Sequence, residues 1–592
     1  MASRRTARCQ WFETGLRCFD KLSTQSLLTT NGFGRVGLTM MLRRPAPIAL
    51  LAGLVSATGF APLSLWPLTL AALAVLLHLI ANAPTWKRAA LLGWLFGVGH
   101  FTFGNGWIAT AFTYQAEMPA WLGWIAVFLL ALYLAVYPML AAVAAWAFVR
   151  FFSPSPSGEG LGVGPRLLRN ARRTGPTPTP PLKGRGFSQV ALVLAFAALW
   201  TITEWLRSWV FTGFVWNPLG MIALGPWSRP GLALIAPWLG TYALSALAVL
   251  LAGCWWLAVS EARTVRRVAL AVVPFLAMMA PQLYTPAARP GTLPFTLVQP
   301  NIPQGELTDP TKYESQFRRT ANLSLARQPG QRRLVLWPES GVPDYLRPGY
   351  PASFYQESTY GADPGLARAR MGRVIGPGSL LLTGAVDLVM RDRRVVAADN
   401  AVTALDSDGR IRSGYIKAHL VPYGEYLPMR GLLEPLGLSR LVAGTLDFRS
   451  GPGPRTLDLQ PWGRIGIQLC YEIIFSGQVV DRADRPDFLF NPSNDGWFGV
   501  FGPPQHFAQA RLRAIEEGLP VLRATTTGIS GSIDANGVVR QTVPQHRPAR
   551  MDGFVPRAKP PTLFAQTGNI LPLGWAIVLL ALSLVALRRR PR

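Results

Sequence analysis

The sequence predicts a protein in two parts: a polytopic α-helical membrane domain of about eight transmembrane helices, and a mixed α/β domain carried on its outer side. Three observations predict it. Half of the 592 residues are apolar, which is rich for a soluble chain of this length. Apolar runs near the roughly 20 residues that cross a bilayer recur along the chain. Between residues 288 and 566 that texture stops, and short β-type runs alternate with helical patterns.

Taken in order, the apolar runs lie at 46–63, 66–83, 89–112, 120–149, 188–209, 232–258, 265–283 and 570–587. The first two are short and carry Pro or Gly near their ends, so each also reads as a re-entrant or buried segment. Seven runs thus fall in a membrane domain at 45–287, and the eighth opens a C-terminal segment at 567–592 that closes on a basic tail.

The formal net charge of +27, from 58 Lys and Arg against 31 Asp and Glu, taken alone suits a nucleic-acid partner. Its placement argues against one. Arg43 and Arg44, Lys87 and Arg88, Arg166 to Arg185, Arg263 to Arg267, and Arg588 to Arg592 all fall in alternate connections. The other connections, "LSLW", "TYQAEMP" and "FTGFVWNPLGMIALGPWSRP", hold only Arg229. Under the positive-inside rule both ends are cytoplasmic and 288–566 is external.

Two stretches stand apart from this architecture. Residues 1–44 are polar and lack the apolar run of a signal peptide; Met40 and Met41 sit just before the first run, as in a chain that starts there and carries a leader. Residues 153–186 are rich in Pro, Gly and Arg and read as a disordered cytoplasmic loop.

In the external segment, strands are expected at 293–299, 332–337, 379–386, 400–406, 411–417, 463–470, 487–493, 521–528 and 530–537. Helical spacing appears in "TKYESQFRRTANLSLARQ" and "PQHFAQARLRAIEEG". The segment is long enough to bury its own core as an α/β or layered α+β domain.

Three polar residues fall at expected strand ends: Glu339 after "LVLWP", Lys417 closing "SGYIK", and Cys470 closing "IGIQL". A catalytic thiol needs a base to take its proton and a cation to hold negative charge, and a carboxylate and an ammonium meet those needs. Each residue alone also has a plainer reading, as a core thiol, a helix cap and an exposed strand-end charge. His419 and His506 leave a Cys-His pair open.

The motifs around these residues carry a resemblance. "WPES" at 337–340, "YIKAHLVPYGEYLP" at 415–428 and "LCYEIIF" at 469–475 resemble the Glu-Lys-Cys motifs of the nitrilase superfamily. Together with "NPSNDGWFG", "PQHFAQARLRAIEEGLPVLRATTTGIS" and "AQTGN", and with helices on both sides, the set resembles the apolipoprotein N-acyltransferase family, membrane-bound members of that superfamily. One departure is "TTTGIS" at 525–530, where the family more often has an asparagine before the Thr-Gly pair.

The resemblance implies an α-β-β-α sandwich for 288–566, on the periplasmic side of a bacterial inner membrane. It implies Cys470 as nucleophile, Glu339 as general base, Lys417 as oxyanion stabiliser, Glu425 as a supporting carboxylate, and Tyr471 and Glu472 as residues shaping the pocket. The reaction implied is ping-pong transfer of an acyl chain from a phospholipid, usually phosphatidylethanolamine, to the α-amine of a diacylglyceryl apolipoprotein. No metal or organic cofactor is called for, and a monomer suffices. The four cysteines, Cys9, Cys18, Cys254 and Cys470, show no ligand or CxxC spacing.

Both substrates are lipids, so an apolar route to the thiol is expected. Trp497, Phe498 and Trp216 are candidates to line it, although each also reads as core packing. The apolar stretch 430–448 reads either as a lid dipping into the bilayer or as an ordinary packed helix. Two alternatives remain: a membrane-tethered amidase using the same three residues with water, and a transporter carrying a binding domain. Few charges apart from Glu204 and Arg207 lie in the apolar runs, which disfavours an ion path.

Overall fold

The computed structural model describes residues 44–114, 119–153, 186–433, 435 and 447–588. The expected leader, the basic loop and most of the lid stretch lie outside the described residues.

The first seven apolar runs fold as α1 (Pro45–Ser56), α2 (Trp66–Ala81), α3 (Trp86–Gly104), α4 (Leu122–Leu134), α5 (Val136–Phe152), α6 (Gly186–Leu206), α7 (Ala236–Ser260) and α8 (Thr264–Met279). The run at 120–149 becomes two helices, α4 and α5, in one continuous apolar stretch of 31 residues. Among the described residues five stretches are long and apolar enough to cross a membrane, against the eight expected: Leu122–Phe152, Gln189–Leu206, Leu232–Ser260, Thr264–Leu283 and Ile570–Arg588. The first two runs fall short because α1 has 12 residues and α2 has 16. In α3, Lys87, Arg88 and the glycines dilute the apolar content. Leu73, Leu76 and Leu77 of α2, Phe196 and Trp200 of α6, and Leu244 and Val249 of α7 share one buried cluster.

Beyond α8 the chain enters two six-stranded sheets. The first is built from β1 (Pro294–Gln299), β2 (Leu334–Leu336), β3 (Leu380–Arg391), β4 (Arg394–Asp406) and β5 (Ile411–Ile416). The second takes β6 (Thr456–Asp458), β7 (Arg464–Ile467), β8 (Phe488–Ser493), β9 (Val521–Thr525), β10 (Ser530–Ile533) and β11 (Val539–Val543), while β12 (Ala549–Phe554) returns to the first. The orders are β12-β1-β2-β3-β4-β5 and β6-β7-β8-β9-β10-β11. Each sheet runs antiparallel, parallel, parallel, antiparallel, antiparallel across its five pairings, so the two share one pattern. The expected strands all appear, most with shorter ends, while β3 and β4 run on to Arg391 and back to Arg394 as a long hairpin; β6, β11 and β12 are additions. The polar "ARMDGF" of β12 is held by a six-residue antiparallel register with β1, not by its own β propensity.

Alternate residues of both sheets, among them Leu297, Leu336, Leu382, Ile465, Phe490 and Leu522, meet in a shared core. On the far face of the first sheet, Val335, Trp337 and Leu381 pack on α9 (Tyr313–Ser324) and α10 (Pro364–Ile375) through Phe317, Met371 and Ile375. On the far face of the second, Leu489, Val521 and Ile533 pack on α11 (Gly502–Glu517) through Phe507, Ala510 and Ala514. The result is the expected α-β-β-α sandwich.

The layer containing α11 is also where the sandwich meets the helical part. Val215, Trp216 and Tyr242 enter the same buried cluster as α11. Glu516 of α11 accepts from Thr241 N and Thr241 Oγ1, each at 2.5 Å, from Ser476 Oγ at 2.9 Å and from Arg513 Nε at 2.6 Å. Thr241 follows Gly240, whose φ of +73° kinks α7 and turns those donors toward the carboxylate. The last helix, α12 (Ile570–Arg588), packs back against α6 and α7, where Ser583 Oγ donates to Ala191 O at 2.8 Å.

Candidate active site

Glu339, Lys417 and Cys470 each lie just beyond the C-terminal end of a strand, β2, β5 and β7 respectively. Strand ends at the rim of a sheet free side chains from the ladder while keeping their backbones fixed, which suits a site that must hold reactive groups in place. Glu339 comes closest to β3. A Cβ added at Gly384 would stand 1.7 Å from Glu339 O, so only glycine fits there, and Gly384 N donates to Pro338 O at 3.1 Å.

Lys417 is buried, with 1% of its side chain exposed, and its Nζ donates to Glu425 Oε1 at 3.0 Å and Glu339 Oε1 at 3.3 Å. Asn400 Nδ2 donates to the same two oxygens, at 2.7 Å to Glu425 and 2.9 Å to Glu339. The second oxygen of each carboxylate takes a backbone N–H: Asn494 N to Glu339 Oε2 at 2.8 Å, and Val421 N to Glu425 Oε2 at 2.8 Å. Burial disfavours the Lys417 ammonium, but the carboxylates of Glu425 and Glu339 outweigh it and hold the group above its ordinary range.

Cys470 opens a short helical turn, three residues past β7, with φ at +52°, in the left-handed region that a cysteine rarely adopts. It is 5% exposed. Burial pushes its thiol up, Glu339's charge adds to this, and Lys417 opposes it. The resting group is therefore a protonated thiol, and a thiol in that state needs a base before it can act as a nucleophile.

Glu472 fixes this turn against the loop after Lys417. Its Oε1 accepts from Tyr415 OH at 2.8 Å, Ala418 N at 2.7 Å and His419 N at 3.2 Å, and its Oε2 from Leu469 N at 2.7 Å. Burial pushes its carboxyl up to about 7, against the pull of these bonds. Its oxygens are thus taken up by the frame of the site. Tyr471 turns away from the thiol toward the helical part, and its OH donates to Gly213 O at 3.1 Å.

Of the three aromatic candidates, Trp216 is fully buried and its Nε1 donates to Gln505 Oε1 at 2.8 Å. Phe498 sits against Trp107, Trp216 and His506, with ring centroids 4.6, 5.6 and 5.6 Å away. Trp497 faces Tyr114 at 5.8 Å. Phe498 and Trp497 are partly exposed.

His506 has both ring nitrogens engaged, and His419 lies flat on an aromatic ring. His419 stacks on Phe475 at 4.2 Å, and His506 Nε2 lies 3.0 Å from the carbonyl oxygen of Cys470. Sequence reasoning passed over Asn400, Asn494 and Gly384. The polar Asn400 heading the apolar run "NAVTALD" was the available signal. Among the described residues no group of His, Cys, Asp and Glu is placed to hold a metal.

Residues 296–547 match the family described as carbon-nitrogen hydrolase, and residues 52–254 match the apolipoprotein N-acyltransferase N-terminal domain. The chain is 32% identical over 569 residues to an apolipoprotein N-acyltransferase of Rhodopseudomonas palustris, which spans 92% of this chain and 95% of that one. The chain belongs to the apolipoprotein N-acyltransferase family. Another apolipoprotein N-acyltransferase, from Ralstonia nicotianae, is 32% identical over 571 residues, 93% of this chain and 94% of that one. Among solved structures, Saccharomyces cerevisiae Nit3, a member of branch 10 of the nitrilase superfamily, is 15% identical with a TM-score of 0.31, covering 46% of this chain and 93% of that one. In this apolipoprotein N-acyltransferase family member, Glu339, Lys417 and Cys470 all fall within the carbon-nitrogen hydrolase match, while Trp216 and Gly213, which touch the site's back wall, come from the other match.

Proposed function

We propose that this protein is an N-acyltransferase that moves a fatty acyl chain from a membrane phospholipid, phosphatidylethanolamine by preference, to the α-amine of an S-diacylglyceryl-cysteine apolipoprotein. The observation that carries the reading is a buried thiol, Cys470, in one site with a carboxylate, Glu339, and an ammonium, Lys417, that share a 3.3 Å contact, in a chain with long apolar helices.

In the first half-reaction Glu339 takes the thiol proton and the thiolate attacks the ester carbonyl. The oxyanion of the tetrahedral intermediate meets Lys417 and the backbone N–H of Tyr471. Collapse breaks the ester C–O bond, Glu339 returns its proton to the leaving alkoxide, and a lysophospholipid departs from the thioester. In the second half the acceptor amine attacks the thioester, Glu339 takes the amine proton, and the expelled thiolate regains it as the amide forms. Glu425 and Asn400 keep Lys417 and Glu339 in register throughout. The site works as a monomer in the bacterial inner membrane, with the sandwich on the periplasmic face where acceptor and donor lipid meet.

The test is intact mass spectrometry of the purified protein after incubation with phosphatidylethanolamine vesicles, with Cys470→Ala alongside. A hydroxylamine-labile acyl adduct on the wild type alone is expected. A folded wild type that forms no adduct, yet hydrolyses small amides, would overturn acyl transfer in favour of the amidase chemistry.

A further inference from the structure

The buried cluster behind Cys470 has no part in the steps above. His506, Asp495 and Arg523 are each 2% exposed or less. His506 lies on α11, Asp495 follows β8, and Arg523 lies on β9, so three separate elements bring them together. Arg523 Nη2 donates to both Asp495 oxygens at 2.8 Å and approaches His506 Nδ1 at 2.9 Å. Asp495 Oδ1 lies 3.1 Å from that same nitrogen. On the far side of the ring, Nε2 stands 3.0 Å from Cys470 O.

A carbonyl oxygen only accepts, so Nε2 carries the hydrogen. Burial, with the Arg523 charge beside it, holds the imidazole below its ordinary range against the opposite pull of Asp495, and the neutral ring leaves Nδ1 to accept from Arg523 at 2.9 Å. The tautomer is therefore set by the guanidinium, and the guanidinium by Asp495.

We infer that His506 is a positioning residue that sets the oxyanion donor beside the nucleophile by gripping the Cys470 carbonyl. This inference rests on Cys470 being the acyl carrier. The peptide joining Cys470 to Tyr471 is planar, and in a trans peptide the N–H points opposite to the C=O. A hydrogen bond that fixes the carbonyl on the buried side thereby fixes the Tyr471 N–H on the other side. It also holds the left-handed backbone at Cys470, a strained conformation that persists only where its surroundings impose it. The same loop serves both partners of the reaction: Asn494 N holds the base, Glu339, and the next residue, Asp495, holds the cluster behind the nucleophile.

Two substitutions separate this role from simple packing. His506→Phe keeps an aromatic ring against Trp216 and Phe498, now 5.2 and 5.6 Å away, but has no donor; His506→Gln returns an N–H at comparable reach. In single-turnover acylation by phosphatidylethanolamine vesicles, His506→Phe is expected to slow the adduct roughly 10- to 100-fold at unchanged KM for lipid, as a displaced catalytic group does. His506→Gln should recover to within a few-fold of wild type. Equal rates for wild type and His506→Phe, or equal losses in both variants, would overturn the inference.

A second measurement does not depend on lipid chemistry. ¹⁵N NMR of histidine-labelled protein should show His506 protonated at Nε2 and bare at Nδ1 at pH 6; the opposite tautomer overturns the inference. A wild type that shows this tautomer but forms no adduct would remove the acyl-transfer reading and with it the role at the nucleophile, and so locate the failure there.

Discussion

Glu339 and Asn494 stand 155 residues apart and are joined by a 2.8 Å hydrogen bond from the Asn494 N–H to Glu339 Oε2. That bond divides the carboxylate by task. Oε2 is anchored to the backbone of the second sheet's loop, while Oε1 faces Lys417 and Asn400. In the proposed mechanism this lets a base held at one oxygen keep its aim as its charge changes, because the anchoring donor is a backbone group that cannot rotate away.

Glu339→Gln tests that reading directly. Glutamine preserves the shape and an oxygen for Asn494 but cannot take a proton. Thioester formation, followed by intact mass, should fall about 10²- to 10⁴-fold, the range of a lost general base, while thermal unfolding shows a loss of the same order as that of Glu425→Gln below, because Lys417 then keeps only the Glu425 carboxylate at 3.0 Å.

Gly384→Ala tests the backbone that presents the base. Its Cβ would fall 1.7 Å from Glu339 O, a distance no rotamer relieves. The β2–β3 edge must part, and acylation should drop roughly 100-fold as Glu339 moves, while membrane insertion, read by protease protection, stays normal.

Glu425→Gln removes one of two carboxylates from a fully buried ammonium, a charge-assisted bond of 3.0 Å. The stability loss should be about 1–3 kcal/mol by thermal unfolding in detergent, with Lys417 then depending on Glu339 alone.

Acid stability should report on Asp495. Burial raises its carboxyl, but the Arg523 guanidinium, donating to both oxygens, outweighs this and brings it down to about 2 from an ordinary 3.8. A depressed carboxyl adds stability that is full above its unfolded value and is lost as pH falls through its folded value. Wild type should therefore lose about 2 kcal/mol between pH 4 and pH 2 from this group. Asp495→Asn should show a lower melting temperature at pH 6 and a flatter acid limb; an unaltered acid limb would contradict the ion pair.

Much of this was legible from sequence because the decisive signals are local. Glu339, Lys417 and Cys470 each end a short apolar run, so their arrival at strand ends follows from period and position. Glu472 was legible as a site residue but not in its work, since its partners at Tyr415, Ala418 and His419 lie more than 50 residues away. His506 was open as a Cys-His partner, and only the fold shows its ring set against the Cys470 carbonyl oxygen, 3.0 Å from Nε2. The shared strand pattern of the two sheets left no trace as a repeat, because pairing direction depends on crossovers and not on side-chain identity. The shortness of α1 and α2 was legible, since Pro or Gly near the ends of their runs left each open as a re-entrant or buried segment; α3 gave no such signal, and its run counted as spanning although Lys87, Arg88 and its glycines dilute it.

The bonds that Glu516 makes to Thr241 and Ser476 reach beyond their place in the packing. The Thr241 bonds cross from the α11 layer to the kink of α7, and the described residues from 49 onward form one compact unit by their contacts. Heating should then melt the sandwich and the helices in a single transition. A sandwich cut free at residue 288 would carry a buried carboxylate with two of its partners gone, so the catalytic half has no independent melting point to recover.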